Sequence, residues 1–373
     1  MRRVLVLRPD NLGDVVLFTG ALRHLRARWP EAEITLCVRA YVRELVELCP
    51  HVDRVVSWEE LSDPLPEWVP RVRGRGLLQS LACAARMRLD LRPDVVVVPL
   101  RSPFGTVHEV VRAAGAREAY GFAGDLNHQT EAEDRAAEAF YTHRLRLGAG
   151  RAGDHEHATL AEFLEMVGVR VTLEELRPEL WTDARDRRWA QREVPSPEGG
   201  RVLGICPGVT APVGKLYPVE GYVRALDEMG GAGLSVVLFG SPADAPVCAA
   251  LAEALAGHPA VASATNLCGR STIREMVEGL RRCDAVLAAD SAALHVAIAL
   301  GRPSVGILGG GHYGRFLPWG DPAIHRICNV TMACYGCNWA CPFSVTRCVA
   351  EIPPEAVARE LGTVLALAAG SPR

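Results

Sequence analysis

AVLAADSAALHVAIALGRPSVGILGGG, residues 285–311, contains the alternation of elements that decides the fold. It starts with an apolar run of strand length, Ala285 to Ala289, which an Asp-Ser pair interrupts. Both residues of that pair favour a helix N-cap, so a helix is predicted from Ala292 to Leu300. Gly301 and the proline two residues later close this helix, and a second apolar strand follows. Strand, helix and strand in this order predict one unit of a parallel sheet.

The same stretch also has the features of a ligand site. Asp290 and Ser291 follow a predicted buried strand at its carboxyl end, where open α/β sheets bind ligands. His295 lies about one turn into the helix. A helix N-terminus, a histidine and the loop Gly309-Gly310-Gly311 together suit a phosphate-bearing ligand. The alternative is a helix that is merely well capped, in which none of these residues binds anything.

Length, charge and cysteine usage narrow the class of protein. The chain has 373 residues, 49% of them hydrophobic, which is too long for one typical core and predicts two domains. A formal net charge of −3 argues against a nucleic-acid binder. No apolar run reaches the roughly 18 residues of a membrane span, and the chain starts without the apolar region of a signal peptide. We therefore expect a cytoplasmic protein, peripheral at most at the inner face of the membrane, whose 12 cysteines are thiols or metal ligands rather than disulfides.

Lys215 is the single lysine among 41 basic residues. In a chain this rich in alanine and arginine, exposed lysines are expected to be replaced by arginine at little cost. A lysine that is retained suits a place that needs a compact point charge, where a planar guanidinium would not fit. Retention by chance is the alternative.

The amino-terminal loop carries a carboxylate where the first helix begins. A buried strand from Val4 to Leu7 leads into RPDNLGD and then into an amphipathic helix from Val15 to Arg28. Its single glycine, Gly13, excludes the dinucleotide fingerprint, which needs three. Asp14 is either a favourable charge at the positive end of the helix dipole or a general base at the mouth of the sheet.

Strands and helices alternate along the rest of the chain, which is typical of doubly wound α/β sheets. The segment VPSPEGG has the composition of a linker. It predicts a boundary between a domain at 1–192 and a domain at 201–352, with a C-terminal helix at 353–373. An arginine-rich segment at 62–92 is either a solvated helix face or a loop that grips an anionic or polyhydroxyl acceptor.

Four strand ends in the second half carry polar or glycine-containing loops, and the alternation places them on one side of the sheet. Convergence of such loops is the geometry of a nucleotide site in a Rossmann-like sheet. The loops contain Gly208 and Thr210, Gly240 and Asp244, Leu267 and Gly269, and Asp290 and His295.

Taken together, these motifs resemble glycosyltransferase family 9, the heptosyltransferase family. The resemblance runs over nearly the whole chain, with the motifs in the same order. It rests on RPDNLGD at 8–14, PGVT at 207–210 followed by KLYP at 215–218, DSAALHVAIALGRP at 290–303, and GGGHYGRFLP at 309–318.

The resemblance implies a GT-B fold, in which two Rossmann-like doubly wound domains face a cleft. The first domain would hold the acceptor and the second the nucleotide sugar. It also implies an ADP-heptose donor, inversion of the anomeric centre, and catalysis without a metal or another cofactor. After the C-terminal motifs, the last helix is expected to cross back to the first domain.

Site residues follow from the same resemblance. Asp14 matches the catalytic aspartate and would deprotonate the acceptor hydroxyl, while Lys215 would neutralise the leaving pyrophosphate. Asp290 and His295 match the loop that holds the donor sugar and phosphate, and Asp244 falls where a glutamate often holds the ribose. The donor set comprises Gly13, Gly208, Thr210, Lys215, Asp244, Gly269, Asp290, Ser291, Ala292, His295, Gly311 and His312, with Arg315 as a further candidate.

Two positions depart from the family pattern. Ala292 stands where the family usually has glycine, which alters how closely the backbone approaches a phosphate. The Gly-Gly-Gly-His312 loop resembles one subgroup rather than the lipopolysaccharide-core enzymes, which leaves the acceptor open.

The carboxyl-terminal region holds the cysteine cluster Cys334-x2-Cys337-x3-Cys341-x6-Cys348. Such spacing suits buried thiols, a structural Zn²⁺ or an iron-sulfur cluster. Interleaved aromatic residues favour plain thiols, so no metal is predicted.

The function predicted from these features is transfer of a heptose from ADP-heptose to an acceptor hydroxyl. The acceptor is either a lipopolysaccharide inner core or a small-molecule natural product such as an aminoglycoside or nucleoside. A sugar-nucleotide 2-epimerase with the same architecture and a non-catalytic ADP-sugar sensor are the alternatives.

Overall fold

The computed structural model describes residues 1–62, 82–148, 150–197, 200–208, 215–231 and 233–368. Its contacts divide the chain into two compact units, Met1–Glu179 and Leu180–Arg373. Each unit contains one parallel sheet with helices, as predicted.

The first unit is built on a sheet whose strands run in the order β3-β2-β1-β4-β5-β6, and every neighbouring pair is parallel. This is the strand order of a Rossmann fold. The strands are β1 (Arg3–Leu7), β2 (Glu33–Val38), β3 (Arg54–Ser57), β4 (Val95–Val97), β5 (Glu118–Ala123) and β6 (His143–Arg146).

The second unit has the same topology, because its strands run in the order β9-β8-β7-β10-β11-β12 when the sheet is read from the β9 edge. All neighbouring pairs are again parallel. Its middle strand β10 has the sequence AVLAA, and all five side chains are buried because the sheet is covered on both faces. The strands are β7 (Arg201–Cys206), β8 (Leu234–Leu238), β9 (Val261–Asn266), β10 (Ala285–Ala289), β11 (Ser304–Ile307) and β12 (His325–Cys328).

Helices connect most successive strands, as parallel pairing requires, whereas β11 leads to β12 through a segment without a helix. In the first unit they are α1 (Leu12–Arg28), α2 (Arg43–Val46), α3 (Trp58–Ser62), α4 (Gly105–Ala114), α5 (Glu131–Ala137) and α6 (Glu156–Met166), with a π-helical segment at Arg86–Leu91. In the second they are α7 (Ala184–Glu193), α8 (Val219–Met229), α9 (Ala245–Ala254), α10 (Ile273–Arg281), α11 (Ala292–Ala299), α12 (Arg347–Ala350) and α13 (Pro354–Ala368).

Each sheet reverses its strand order at one place, and a crevice opens there at the carboxyl ends of the strands. In the first unit this switch point lies between β1 and β4, so the loop that leads to Asp14 borders it. In the second unit it lies between β7 and β10, next to Asp290. The topology therefore places the two motifs singled out in the sequence at ligand-binding positions of their own sheets.

The observed division of the chain falls upstream of the predicted linker at 194–200. Helix α7, which precedes that linker, packs against α10 of the second unit. An ion pair of 3.1 Å between Asp186 and Arg274 joins the two helices. Because these contacts bury Trp189 as well, α7 belongs to the second unit, and the division lies at 179/180 instead of near 192.

The last helix, α13, lies in the second unit, and its return to the first domain, which the family resemblance implies, stays a prediction. It packs against α8 and against strands β10, β11 and β12. Its apolar side chains Val357, Leu361 and Val364 are fully buried in the core of that unit. Burial of this apolar face attaches the helix to the core of the second unit.

None of the helices in the described ranges combines the length and the apolar character needed to cross a lipid bilayer.

Candidate functional site

Lys215 and Asp290 meet at the switch point of the second unit. Asp290 directly follows β10, and Lys215 lies in the connection between β7 and α8. The Nζ atom of Lys215 is 3.8 Å from Oδ2 of Asp290, and the two side chains are 16% and 20% exposed. Burial raises the pKa of Asp290, and the positive charge of Lys215 opposes that rise. The two residues form a mostly desolvated ion pair that retains some access to solvent.

The beginning of α11 presents polar groups next to this pair. Ser291 occupies the N-cap position with an extended backbone, but its side chain makes no capping hydrogen bond. Its Oγ atom is buried and has no hydrogen-bond partner within the part of the chain that the structure describes. The first backbone N–H groups of a helix lack intrahelical acceptors. Ala292, half-buried in the first turn, leaves these amides as the groups that an anion would meet.

His312 lies close enough to the ion pair for both Lys215 and Asp290 to influence its titration. The indole N–H of Trp339 donates a hydrogen bond of 3.2 Å to its Nδ1 atom. Its Nε2 atom is hydrogen-bonded to Oδ1 of Asn338. Burial lowers the pKa of His312. The structure thus groups Lys215, Asp290 and His312, three residues that the sequence assigned to the donor.

The packing around the loop Gly309-Gly310-Gly311 explains why it consists of glycine, independently of the phosphate binding that the sequence suggests. A Cβ atom on Gly310 would lie 2.1 Å from the ring of Tyr335, and one on Gly311 would lie 2.3 Å from the ring of Trp339. A Cβ atom on Gly309 would lie 2.7 Å from the same indole. Glycine is required here because two aromatic rings pack directly on the loop backbone, whether or not a phosphate also binds there.

His295 is buried in α11, with 5% of its surface exposed. Its Nδ1 atom accepts a hydrogen bond of 2.9 Å from the indole N–H of Trp319, and the two rings are stacked. The histidine therefore joins the helix to the segment before β12. Its predicted contact with the donor stays a prediction.

Asp244 performs a local structural task at the carboxyl end of β8. Its Oδ2 atom accepts hydrogen bonds from the backbone N–H and the hydroxyl of Ser241, at 2.8 and 2.7 Å. A Cβ atom on Gly208 would lie 2.1 Å from Cγ of Asp244, so the carboxylate rests on the backbone that follows β7. Gly269 adopts a φ of +68° and donates to the carbonyl of Gly240 at 2.9 Å. These three strand ends do converge, as a nucleotide site in this sheet would require.

Two predictions concern residues outside the described ranges. Thr210, assigned to a donor phosphate, is one of them. Most of the arginine-rich segment at 62–92 is the other, although Arg86 is described and pairs with Glu60 at 3.2 Å.

In the first unit, Asp14 lies in the first turn of α1, directly after Gly13. Arg8 directly follows β1. Arg8 is 2% exposed. Its Nε atom is 3.0 Å from Asp10, and its Nη2 atom is 3.1 Å from Glu156 and 3.4 Å from the carbonyl of Asp14. Burial by itself lowers the pKa of Arg8, but the carboxylates of Asp10, Glu156 and Asp14 outweigh it, and the pKa is raised. A buried, permanently charged guanidinium therefore orders the loop that presents Asp14.

Two histidines at the start of α6, His155 and His157, have a structural role. His155 caps α6 by accepting from the backbone N–H of His157 at 3.1 Å. His157 is hydrogen-bonded to the carbonyl of Leu17 at 3.1 Å, which ties α6 to α1. Burial lowers the pKa of His157 to about 4.

Comparison with known proteins identifies the family. The sequence profile of glycosyltransferase family 9 (heptosyltransferase) matches residues 129–338, more than half of the chain. The chain belongs to glycosyltransferase family 9. This family 9 enzyme is 25% identical over 318 residues to lipopolysaccharide heptosyltransferase 2 of Escherichia coli, covering 82% of each chain. It is 22% identical over 311 residues to lipooligosaccharide heptosyltransferase 2 of Haemophilus influenzae, covering 82% of this chain and 83% of that protein.

Solved structures of family members share its fold. A family 9 glycosyltransferase from Veillonella parvula superposes with a TM-score of 0.77 at 19% identity, over 98% of both chains. The ADP-heptose lipopolysaccharide heptosyltransferase II of E. coli gives a TM-score of 0.71 at 21% identity, over 98% of this chain and 99% of that one. The predicted fold class, GT-B with Rossmann-like doubly wound domains, is confirmed.

The cysteine cluster of this family 9 enzyme lies beside the glycine loop. Cys334, Cys337, Cys341 and Cys348 line one small cavity, which Trp339 also borders. Burial raises the pKa of Cys348, whose Sγ atom accepts from the backbone N–H of Gly310 at 3.4 Å. Within the described ranges, no three histidine, cysteine, aspartate or glutamate side chains are arranged as ligands of one metal ion.

The sequence did not reveal two sets of residues, one in each unit. In the first unit, Arg8 stood out only as part of the RPDNLGD motif and Glu156 not at all, although an arginine directly after an apolar buried strand signals a buried partner. Trp339 was noted only as an aromatic residue among cysteines. Its contact with Lys215 could not be inferred, because 124 residues separate the two positions.

Proposed function

We propose that this family 9 glycosyltransferase transfers a heptose from ADP-heptose to an acceptor hydroxyl, with inversion at the anomeric carbon and without a metal. The observation that carries the proposal is the desolvated Lys215–Asp290 pair, 3.8 Å apart at the switch point of the second sheet. The hydroxyl of Ser291, which has no hydrogen-bond partner among the described residues, lies at the helix start beside it. Cationic, hydroxyl and amide donors in one crevice suit the phosphates of a nucleoside diphosphate.

The leaving group determines what Lys215 does. When the bond between the anomeric carbon and the phosphate oxygen breaks, ADP gains negative charge on its terminal phosphate. The ammonium of Lys215 would neutralise that charge, with the first amides of α11 as further donors. Asp290, which holds Lys215 now, would keep the ammonium in place as the phosphate arrives.

The acceptor is activated from the first unit. Asp14 would take the proton of the acceptor hydroxyl while the oxygen attacks the anomeric carbon from the face opposite to ADP. In this single step the new C–O bond forms on the face opposite to the C–O bond that breaks, so the configuration inverts. Arg8, locked by Asp10 and Glu156, orders the backbone that presents this carboxylate. The mechanism requires Asp14 and Lys215 to reach the same sugar.

Two acceptors are proposed. The names of the relatives, lipopolysaccharide and lipooligosaccharide heptosyltransferase 2, favour an inner-core sugar of a lipid-linked saccharide. Such an acceptor would place the enzyme in the cytoplasm at the inner face of the membrane. The composition, with one lysine among 41 basic residues, indicates a high-G+C genome. This origin favours the second candidate, a soluble aminoglycoside or nucleoside acceptor.

The donor is tested by thermal stabilisation with a panel of nucleotide sugars. A ligand at about 100 times its Kd stabilises a protein by about 2.7 kcal/mol, which is readily measured. We expect ADP-heptose to stabilise the enzyme more than UDP- or GDP-sugars do. Equal stabilisation by all three would contradict the proposed donor.

Turnover is tested with each acceptor class in the presence of EDTA, and the anomeric configuration of the product is read by NMR. Transfer with inversion supports the proposal. Conversion of the donor without any acceptor would indicate an epimerase, and binding without turnover would indicate a sensor.

A further inference from the structure

Trp339 has an unusual backbone for a tryptophan. Its φ is +62°, and that of the preceding Asn338 is +49°. Residues other than glycine rarely adopt the left-handed region, and pairs of them persist only where the surrounding contacts impose the conformation. Such strain concentrates at functional sites.

The glycine loop imposes the conformation. The backbone N–H of Gly336 donates to the carbonyl of Gly310 at 2.8 Å, and that of Asn338 donates to the carbonyl of Gly311 at 3.1 Å. The indole then packs on the backbone of Gly309 and Gly311, which no residue with a Cβ atom would allow. The ring is therefore held in one position by the loop that follows β11.

In that position the indole touches two groups of the donor site. The Nζ atom of Lys215 lies 3.9 Å from the ring centroid, over the negative face of the π system. The indole N–H donates to Nδ1 of His312 at 3.2 Å. Because Nδ1 accepts, the ring proton of neutral His312 resides on Nε2, where Oδ1 of Asn338 accepts it.

Resting on the proposed function, we infer that Trp339 is the positioning residue of the donor diphosphate site. Its ring face holds the ammonium of Lys215, and its N–H holds His312 as a neutral imidazole. Lys215 then carries the positive charge that meets the phosphates. Neither the family profile nor the names of the relatives assigns a role to this residue.

The charges around His312 decide how the contact can be measured. Burial lowers its pKa, and the cations of Arg315 and Lys215 lower it further, whereas Asn338 and the carboxylate of Asp290 raise it. The edge of Phe316 packs on the imidazole, with ring centroids 5.5 Å apart. A hydrogen bond donated to Nδ1 stabilises the neutral form, so removing that donor raises the pKa of His312.

Two substitutions separate the two contacts. Trp339→Phe keeps an aromatic face for Lys215 and removes the N–H donor, while Trp339→Leu removes both. Phe343→Leu is the matched control, because Phe343 lies in the same cysteine-rich segment and carries a cation–π contact with Arg347 at 5.2 Å.

The experiment measures ADP affinity by calorimetry and the titration of His312 by NMR of histidine-labelled protein. We expect Trp339→Leu to weaken ADP binding about tenfold, which lies between the sizes of an exposed and a desolvated cation–π contact. In Trp339→Phe we expect affinity to change by less than about threefold while the pKa of His312 rises. Phe343→Leu should leave both quantities at the wild-type value.

The inference is overturned if Trp339→Leu binds ADP as tightly as Phe343→Leu does, or if the pKa of His312 is the same in Trp339→Phe as in the wild type. Should Trp339→Leu fail to fold by circular dichroism, the more conservative Trp339→Phe still decides the matter through the titration. A wild-type enzyme that binds no ADP would instead overturn the proposed function, and the titration would still test the contact between Trp339 and His312.

Discussion

Replacing Lys215 by methionine separates the catalytic charge from the stability of the fold. Methionine keeps the length and apolar stem of lysine, so packing near Trp339 is preserved. The Nζ atom of Lys215 lies 3.8 Å from Oδ2 of Asp290. At an effective dielectric constant of about 20, the Coulomb attraction over this distance is about 4 kcal/mol. Desolvation of the two groups offsets part of this attraction.

The variant leaves Asp290 buried without its cation, so the pKa of that carboxyl rises further above its usual value. A raised carboxyl pKa means that the folded state binds more protons than the unfolded state. The variant is therefore destabilised at neutral pH, and it recovers stability as the pH falls towards the pKa of the unfolded carboxyl. Urea unfolding at pH 7 and at pH 5 measures this difference.

Turnover is expected to fall about 10²- to 10³-fold, as when one group that stabilises transition-state charge is removed. The double variant Lys215→Met/Asp290→Asn is the control, because it removes the charge that was left unpaired. It should regain stability at pH 7 without regaining activity. Near-wild-type turnover of Lys215→Met, or recovery of activity in the double variant, would refute the role of this ammonium.

Three further substitutions test the remaining parts of the site. Asp14→Asn should keep ADP affinity and abolish transfer, since it removes the base alone; loss of ADP binding in calorimetry would instead move Asp14 into the nucleotide site. Glu156→Gln should cost about 3 kcal/mol in urea unfolding because it breaks the buried pair with Arg8. Glu162→Gln on the same helix, where the carboxylate pairs with Arg151 and both side chains are partly exposed, should cost less than about 1 kcal/mol, and equal losses would contradict the role of the buried pair. Gly310→Ala should lower both stability and ADP affinity because its Cβ atom meets Tyr335, whereas Gly362→Ala, in open space on α13, should not; an unaffected Gly310→Ala would show that the ring can move aside.

Much of the fold follows from local patterns. The predicted bounds of the strand at 285–289 are those observed. Apolar runs of strand length, helix caps and glycine stops act within a few residues, so they can be recognised without knowing what packs where. The strand alternation then leaves few topologies, and both sheets adopt the Rossmann order.

Part of the site was predictable for the same reason. Asp290 follows a buried strand and Lys215 is the chain's single lysine, so the topology alone brings their loops to one switch point. The domain boundary was not predictable in this way, because a linker-like composition does not reveal which helix packs on which sheet. Only the contacts of Trp189 and Asp186 with the second unit decide it.

The sequence by itself determined the two layered α/β units and the family motifs. Tertiary structure alone decided what surrounds the reactive groups: Arg8 meets Glu156 across 148 positions, and Lys215 meets the ring of Trp339 across 124. The glycine triplet, which the sequence suggests as a phosphate loop, also accommodates aromatic rings from a later segment. The physical reason is range: backbone preferences are local, whereas ion pairs and ring contacts depend on the path of loops that no local pattern specifies.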